Sequence, residues 1–190
     1  GAIKQKTLKK RVVLSGQGLH SGVKTGLILH PLAPHSGVRF SGISGEAEVP
    51  AHVDYVGPTG YATPLRTKGF AVGTVEHFLA VLHSYGITNL LVKVQGEVPI
   101  LDGSALEFCQ AIDEAGIEEQ AAEIAAIVVD KPYRVEAKGG ESIAIEPADS
   151  FSVEYQLRYP NPVGEQSYIY RHSGAQSFKD EIAPARTFGF

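Results

Sequence analysis

The strongest constraint on the fold is a change of hydrophobic period at residue 74. Before it the apolar residues fall in short, β-branched runs, LKKRVVL, KTGLILH and GVRF, separated by glycine clusters such as SGQGLHSG and PLAPHSG. Such runs read as strands joined by turns. AEVPAHVDYV carries Pro50 inside it, and proline cannot donate to a sheet ladder, so this run reads as an edge strand or a bulge. From Thr74 the period lengthens. Val75, Phe78, Leu79 and Leu82 recur at helical spacing, Thr74 stands where an N-cap belongs, and Gly86 is suited to close the helix.

The pattern then repeats. TNLLVKV reads as a buried strand, and PILDGSALEF as a turn at Asp102-Gly103 feeding a second helix, with Ser104 and Glu107 spaced as a capping box and Gly116 at its end. IEEQAAEIAA alternates charge with alanine, which places a domain boundary near residues 118–125. Four further strands follow in AIVVDKPYRVEA, ESIAIEP, FSVEYQLRY and QSYIYR. A short helix runs from about Gly174 to Ile182, stopped by Pro184. Strands followed by helices, twice over, predict an α+β chain of two tandem units, the first over 1–122 and the second over 123–190. The second unit is short of its last elements. The chain opens on Gly1-Ala2 without methionine, which resembles an expression scar, and closes on ARTFGF with no polar tail, so it reads as cut short.

Composition excludes several classes. With 43% hydrophobic and 20% charged residues the chain is a folded, soluble type rather than a disordered one. A net charge of -4 gives no general attraction to nucleic acid, and the basic cluster Lys4, Lys6, Lys9, Lys10, Arg11 reads as the solvated face of a first strand. No apolar run is long enough for a transmembrane segment. Cys109 is the single cysteine, so no intrachain disulfide forms and a cytoplasmic setting is favoured; its neighbours LEFCQAI suit a buried, unreactive thiol.

Candidate chemistry centres on Glu76 and His77. As helix neighbours they point about 100° apart, so they cannot stack on one metal. They can divide the work, the imidazole ligating zinc while the carboxylate takes a proton from water. A catalytic zinc takes about three protein ligands and keeps one position open, so His77 needs partners from elsewhere. From spacing alone the plainer reading is favoured: an acid suited to the helix dipole beside a histidine that only hydrogen-bonds. The other histidines, His20, His30, His35, His52, His83 and His172, show no ligand spacing with His77. GQGLHSG imitates a phosphate loop, but no helix follows it. Asp102 in LDGS is either an orienting carboxylate or part of a tight turn, and ARTFGF either lines a pocket or forms a core strand.

Four stretches taken in order change that balance: LKKRVVLSGQGLHSG, GTVEHFLAVLHSYGITNLLVKV, EVPILDGSALEF and ARTFGF. Together they resemble the UDP-3-O-acyl-N-acetylglucosamine deacetylases, zinc amidohydrolases of lipid A (lipopolysaccharide) biosynthesis in Gram-negative bacteria, over essentially the whole chain. The resemblance implies that His77 is a zinc ligand and Glu76 the general base on the zinc-bound water. It implies that Thr187 helps hold the reacting centre, that Phe188 and Phe190 line the substrate passage, and that Tyr159 stacks near uracil. Tyr61 and Leu19 fall near the acyl-glucosamine site. The implied fold is two α/β sandwiches with their helix layers packed together.

The family's other two zinc ligands and its general acid lie beyond ARTFGF, and the sequence ends at Phe190. The 190-residue chain by itself is therefore expected to lack appreciable deacetylase activity and to self-associate through the exposed interface of its second unit. Two other readings stay open: a non-catalytic UDP-sugar-binding module, and one half of a split deacetylase.

Overall fold

The computed structural model describes residues 2–18, 22, 24–45 and 47–187. By its contacts the chain forms two compact units, one holding the chain up to Ile124 together with the segment from Gly174, the other Ala125–Ser173. Three helices and several open sheets among the described residues make the fold α+β, as the alternation of periods predicts.

The first unit is built on a five-stranded sheet. Its strands are β2 (Val12–Gln17), β3 (Lys24–Pro31), β4 (Val38–Ser41), β5 (Glu48–Pro50) and β8 (Leu90–Val94), in the spatial order β2-β3-β8-β4-β5. All neighbours are antiparallel except β4 and β8, which run parallel with Val38 beside Leu90. β8 takes the central place its apolar run predicts, and β5 takes the edge, where Pro50 costs no ladder bond. Leu27, Leu29, Leu90, Val92 and Val94 alternate along β3 and β8 with no exposed surface, so one face of the sheet is the core face.

Helices α1 (Glu76–Tyr85) and α2 (Leu106–Ala115) supply the rest of that core. α1 buries Phe78, Val81, Leu82 and Tyr85, the i, i+3, i+4, i+7 stripe of an amphipathic helix. Phe78 meets Phe108 of α2 edge to face, with ring centroids 5.3 Å apart. Gly86 ends α1 in the left-handed region at φ 72. There its N–H reaches the His83 carbonyl at 3.1 Å and Ile87 N–H reaches that of Leu82 at 3.0 Å, a Schellman closure that a side chain at Gly86 would strain. Cys109 is fully buried, in keeping with an unreactive thiol, and burial pushes that thiol up from its ordinary value.

Several sequence expectations are corrected. LKKRVVL is not one strand: β1 (Lys4–Leu8) ends before Lys9, and β2 begins at Val12. β1 pairs with β9 (Ile117–Glu123), a strand that the sequence did not show; the division between the units falls after Ile124, within the boundary region expected near residues 118–125. The hairpin of β6 (Leu65–Thr67) and β7 (Phe70–Val72) was hidden among turn residues. Thr74 does not cap α1, and Ser104 with Glu107 forms no capping box; α2 begins at Leu106, whose N–H meets Ser104 Oγ at 3.3 Å.

The second unit consists of two antiparallel hairpins, β10 (Tyr133–Glu136) with β11 (Ser142–Ile145), and β12 (Ser152–Arg158) with β13 (Glu165–Arg171). AIVVDKPYRVEA thus supplies only its later residues to a strand. The segment from Gly174, assigned from sequence to the second unit, makes its contacts with the first. Its helix α3 (Ala175–Glu181) lies against α1, and the Ala183 carbonyl accepts Ala105 N–H at 2.9 Å.

Candidate active site

The turn between β8 and α2, residues 96–104, draws the distant motifs together. Ile100 N–H reaches the Gln17 carbonyl at 2.8 Å, and Gly18 bridges Pro99. A Cβ on Gly16 would stand 2.9 Å from Pro99 Cβ and Leu101 Cδ2, so the SGQG stretch can lie this close only with glycine there. From the other side Gly73 donates to the Gly96 carbonyl at 2.9 Å and accepts Val98 N–H at 3.1 Å. At the far end of the turn Thr187 N–H donates to the Gly103 carbonyl at 2.9 Å, while Arg186 stands 3.8 Å from Asp102.

Asp102 organises this end. It accepts Ser104 Oγ–H at 2.7 Å and Ser104 N–H at 3.0 Å. Those two bonds, with the Arg186 guanidinium adding to them, hold its carboxyl below the ordinary aspartate value. The carboxylate thus makes the turn at LDGS and faces Arg186 of the ART segment.

Glu76 is the first residue of α1 and is exposed; His77 beside it is half-buried. One Glu76 carboxylate oxygen accepts the backbone N–H of Thr63, and Val75 N–H returns to the Thr63 carbonyl at 3.4 Å. The loop carrying Tyr61, which is 99% exposed, is thereby tied to the start of α1. A carboxylate has acceptor capacity for several bonds, so this anchor leaves Glu76 able to take a proton.

Two backbone outliers belong to the same assembly. Thr74 has φ 58 and Leu101 φ 55, and neither is glycine. Left-handed backbone at a β-branched residue is rare and persists only where its surroundings enforce it. At Thr74 the enforcement is visible. Its hydroxyl donates to Glu97 Oε1 at 3.0 Å, both residues being buried. Glu97 was not picked out from sequence; its only signal there is an acid set directly against the apolar run VPIL.

The remaining expectations distribute unevenly. Tyr159 lies in the second unit, partly exposed, its N–H on the Gly164 carbonyl at 2.9 Å. Leu19, Phe188 and Phe190 lie outside the described residues, as does His20. Among the described residues no group of three or more His, Cys, Asp or Glu side chains could hold a metal ion. His77 alone does not make a zinc centre, which takes about three protein ligands, so the described residues do not fit a complete one.

A family model described as LpxC, UDP-3-O-acyl N-acetylglycosamine deacetylase, matches residues 5–190. A protein of Nautilia profundicola named UDP-3-O-acyl-N-acetylglucosamine deacetylase is 39% identical over 191 residues, covering 99% of this chain and 64% of the relative. A protein of the same name from Wolinella succinogenes is 39% identical, covering 99% and 63%. Another from Thermodesulfovibrio yellowstonii is 36% identical over 187 residues, covering 98% and 64%. The chain thus spans less than two thirds of the length of these relatives. With matched motifs converging on one turn and a family match across nearly its whole length, the chain belongs to the LpxC family of UDP-3-O-acyl N-acetylglycosamine deacetylases.

Proposed function

We propose that this chain is the part of a zinc-dependent deacetylase that carries the proton-accepting carboxylate, acting on UDP-3-O-acyl-N-acetylglucosamine in lipid A biosynthesis. The observation that carries the reading is the convergence just described. GTVEH, the SGQG stretch and the ART segment all hydrogen-bond to the 96–104 turn, although they are scattered along the sequence. Glu76 accepts a proton from the attacking water while Thr63 N–H keeps the carboxylate aimed. His77 contributes one ligand to a metal centre whose other ligands come from outside the described residues. The metal, when bound, supplies Lewis-acid activation.

Thr187 and Tyr61 stand on segments anchored to this assembly, which supports their assignment to substrate contact together with Leu19, Phe188, Phe190 and Tyr159. The division into domains over 1–122 and 123–190 is proposed with one amendment: the segment from Gly174 goes with the first, since α3 packs against α1. A cytoplasmic setting fits the buried lone cysteine, and among the described residues no helix is long and apolar enough to cross a membrane. Self-association is proposed through the apolar side chains that the 125–173 hairpins expose, such as Val135 and Ile143.

The test is acetate release from UDP-3-O-acyl-N-acetylglucosamine by the natural full-length protein. Release that stops on chelation and returns with zinc supports the reading. UDP-sugar binding with no acetate released overturns it in favour of a binding module.

A further inference from the structure

We propose that Glu97 is a positioning residue for the Glu76–His77 pair, acting through Thr74. The inference rests on reading those two residues as the reacting pair. Between β7 and α1 the chain has only Gly73, Thr74 and Val75 in which to turn from strand to helix, and Thr74 makes the turn at φ 58. A threonine left to itself favours negative φ, because its branched Cβ crowds the following carbonyl in the left-handed region. The bond from Thr74 Oγ1 to Glu97 Oε1, 3.0 Å in a buried setting, opposes that preference.

Glu97 can act as a fixed post because its own backbone is held. Gly73 and Glu97 form a parallel bridge, flanked by the bonds from Gly73 N–H to Gly96 and from Val98 N–H to Gly73. The Glu97 carbonyl also accepts Thr25 Oγ1 at 2.9 Å, fastening the turn to β3. Released from Glu97, Thr74 relaxes toward negative φ and the first turn of α1 re-aims. Glu76 and His77 then move together with that turn.

The experiment uses the full-length protein and the variants T74V, T74S, T74G, E97L and the double variant E97L/T74G. T74V keeps the shape of the side chain but removes the donor, whereas T74G adopts positive φ without help. Expected is a kcat about tenfold lower in T74V and E97L, the size of one hydrogen bond, with KM and melting temperature little changed. T74S keeps the donor and recovers most of the rate. E97L/T74G recovers to the level of T74G, because a glycine no longer needs the post. Undiminished kcat in T74V, or a double variant no faster than E97L, overturns the proposal. Should E97L fail to fold, T74V against T74G decides alone.

The His77 ring resonances give a readout independent of turnover. They shift in T74V and return in T74G if Thr74 sets the position of α1. If the unaltered protein releases no acetate, the functional reading fails, and these resonances still decide the role of Glu97: unchanged signals in T74V overturn it.

Discussion

The carboxylate of Glu76 accepts the N–H of Thr63, so the candidate base is held by the backbone of a loop and not by another side chain. A glutamine keeps a carbonyl oxygen for that N–H but cannot take up a proton from water. E76Q is therefore expected to leave the melting temperature within a few degrees of the unaltered protein while lowering kcat by about 10²–10⁴-fold, the usual range for a lost general base. Thermal unfolding and steady-state acetate release on the same samples check it, and equal rates would remove Glu76 from the chemistry.

His77 is expected to govern metal retention. H77A in the full-length protein should leave dialysis with far less bound zinc than the unaltered protein, since one ligand of about four around the ion is gone. The 190-residue polypeptide alone, in which no group of three possible ligands occurs among the described residues, should show no chelator-sensitive acetate release. Elemental analysis after dialysis and the acetate assay test the two statements separately.

Asp102 gives the turn a sensitivity to acid. Its carboxyl is held below the ordinary aspartate value by Ser104, side chain first and backbone second, with Arg186 adding to them. A depressed folded-state value means that the ionised form stabilises the fold. That contribution is fully present above the unfolded value of about 3.9 and is lost as pH falls through the lower folded value. S104A removes the shorter bond, so the Asp102 carboxyl should titrate at higher pH, moving toward 3.9. A carbon-detected titration of the aspartate side chains would show it, and an unmoved Asp102 would contradict the assigned cause.

Attachment of α3 sets two interactions against each other. Lys179 pairs with Asp113 at 2.7 Å, but both side chains are partly exposed, whereas Phe178 beside it is buried. Partly exposed ion pairs are worth about 0–1 kcal/mol, and truncating a buried phenylalanine costs about 3–5 kcal/mol. F178A should therefore lower the urea midpoint several times more than K179A. Comparable losses would mean that the ion pair, extended by the Tyr85 hydroxyl on Asp113 at 2.9 Å, carries the helix.

What was legible in the sequence follows the range of the interactions involved. α1 was readable because its stripe and its Gly86 ending are local. Its start was not, because the Thr74 hydroxyl is taken by Glu97 from beyond the next strand. LKKRVVL looked continuous, yet the chain changes partners inside it, from β9 to β3, and nothing local to Lys9–Arg11 announces that exchange. β9 was not read as a strand, because its run IEEQAAE has few apolar residues to show. At the site, Glu76 and His77 were visible as a pair, and ARTFGF only through its resemblance to a family. The role of residues 96–104 in joining them became apparent only in three dimensions.

The parallel ladder between β4 and β8 has a consequence for the order of folding. The hairpins β2-β3 and β4-β5 can each form locally, but the two are joined only when β8 arrives from the far side of a long excursion to pair with β3 and β4. Such closures are slow, since chain entropy is lost before any pairing rewards it. Thr63, Thr74, Glu76 and His77 all ride within that excursion. Pairing of β4 with β8 therefore closes a loop that carries the candidate pair Glu76 and His77, so the contact that completes the sheet also fixes both ends of the segment that presents them.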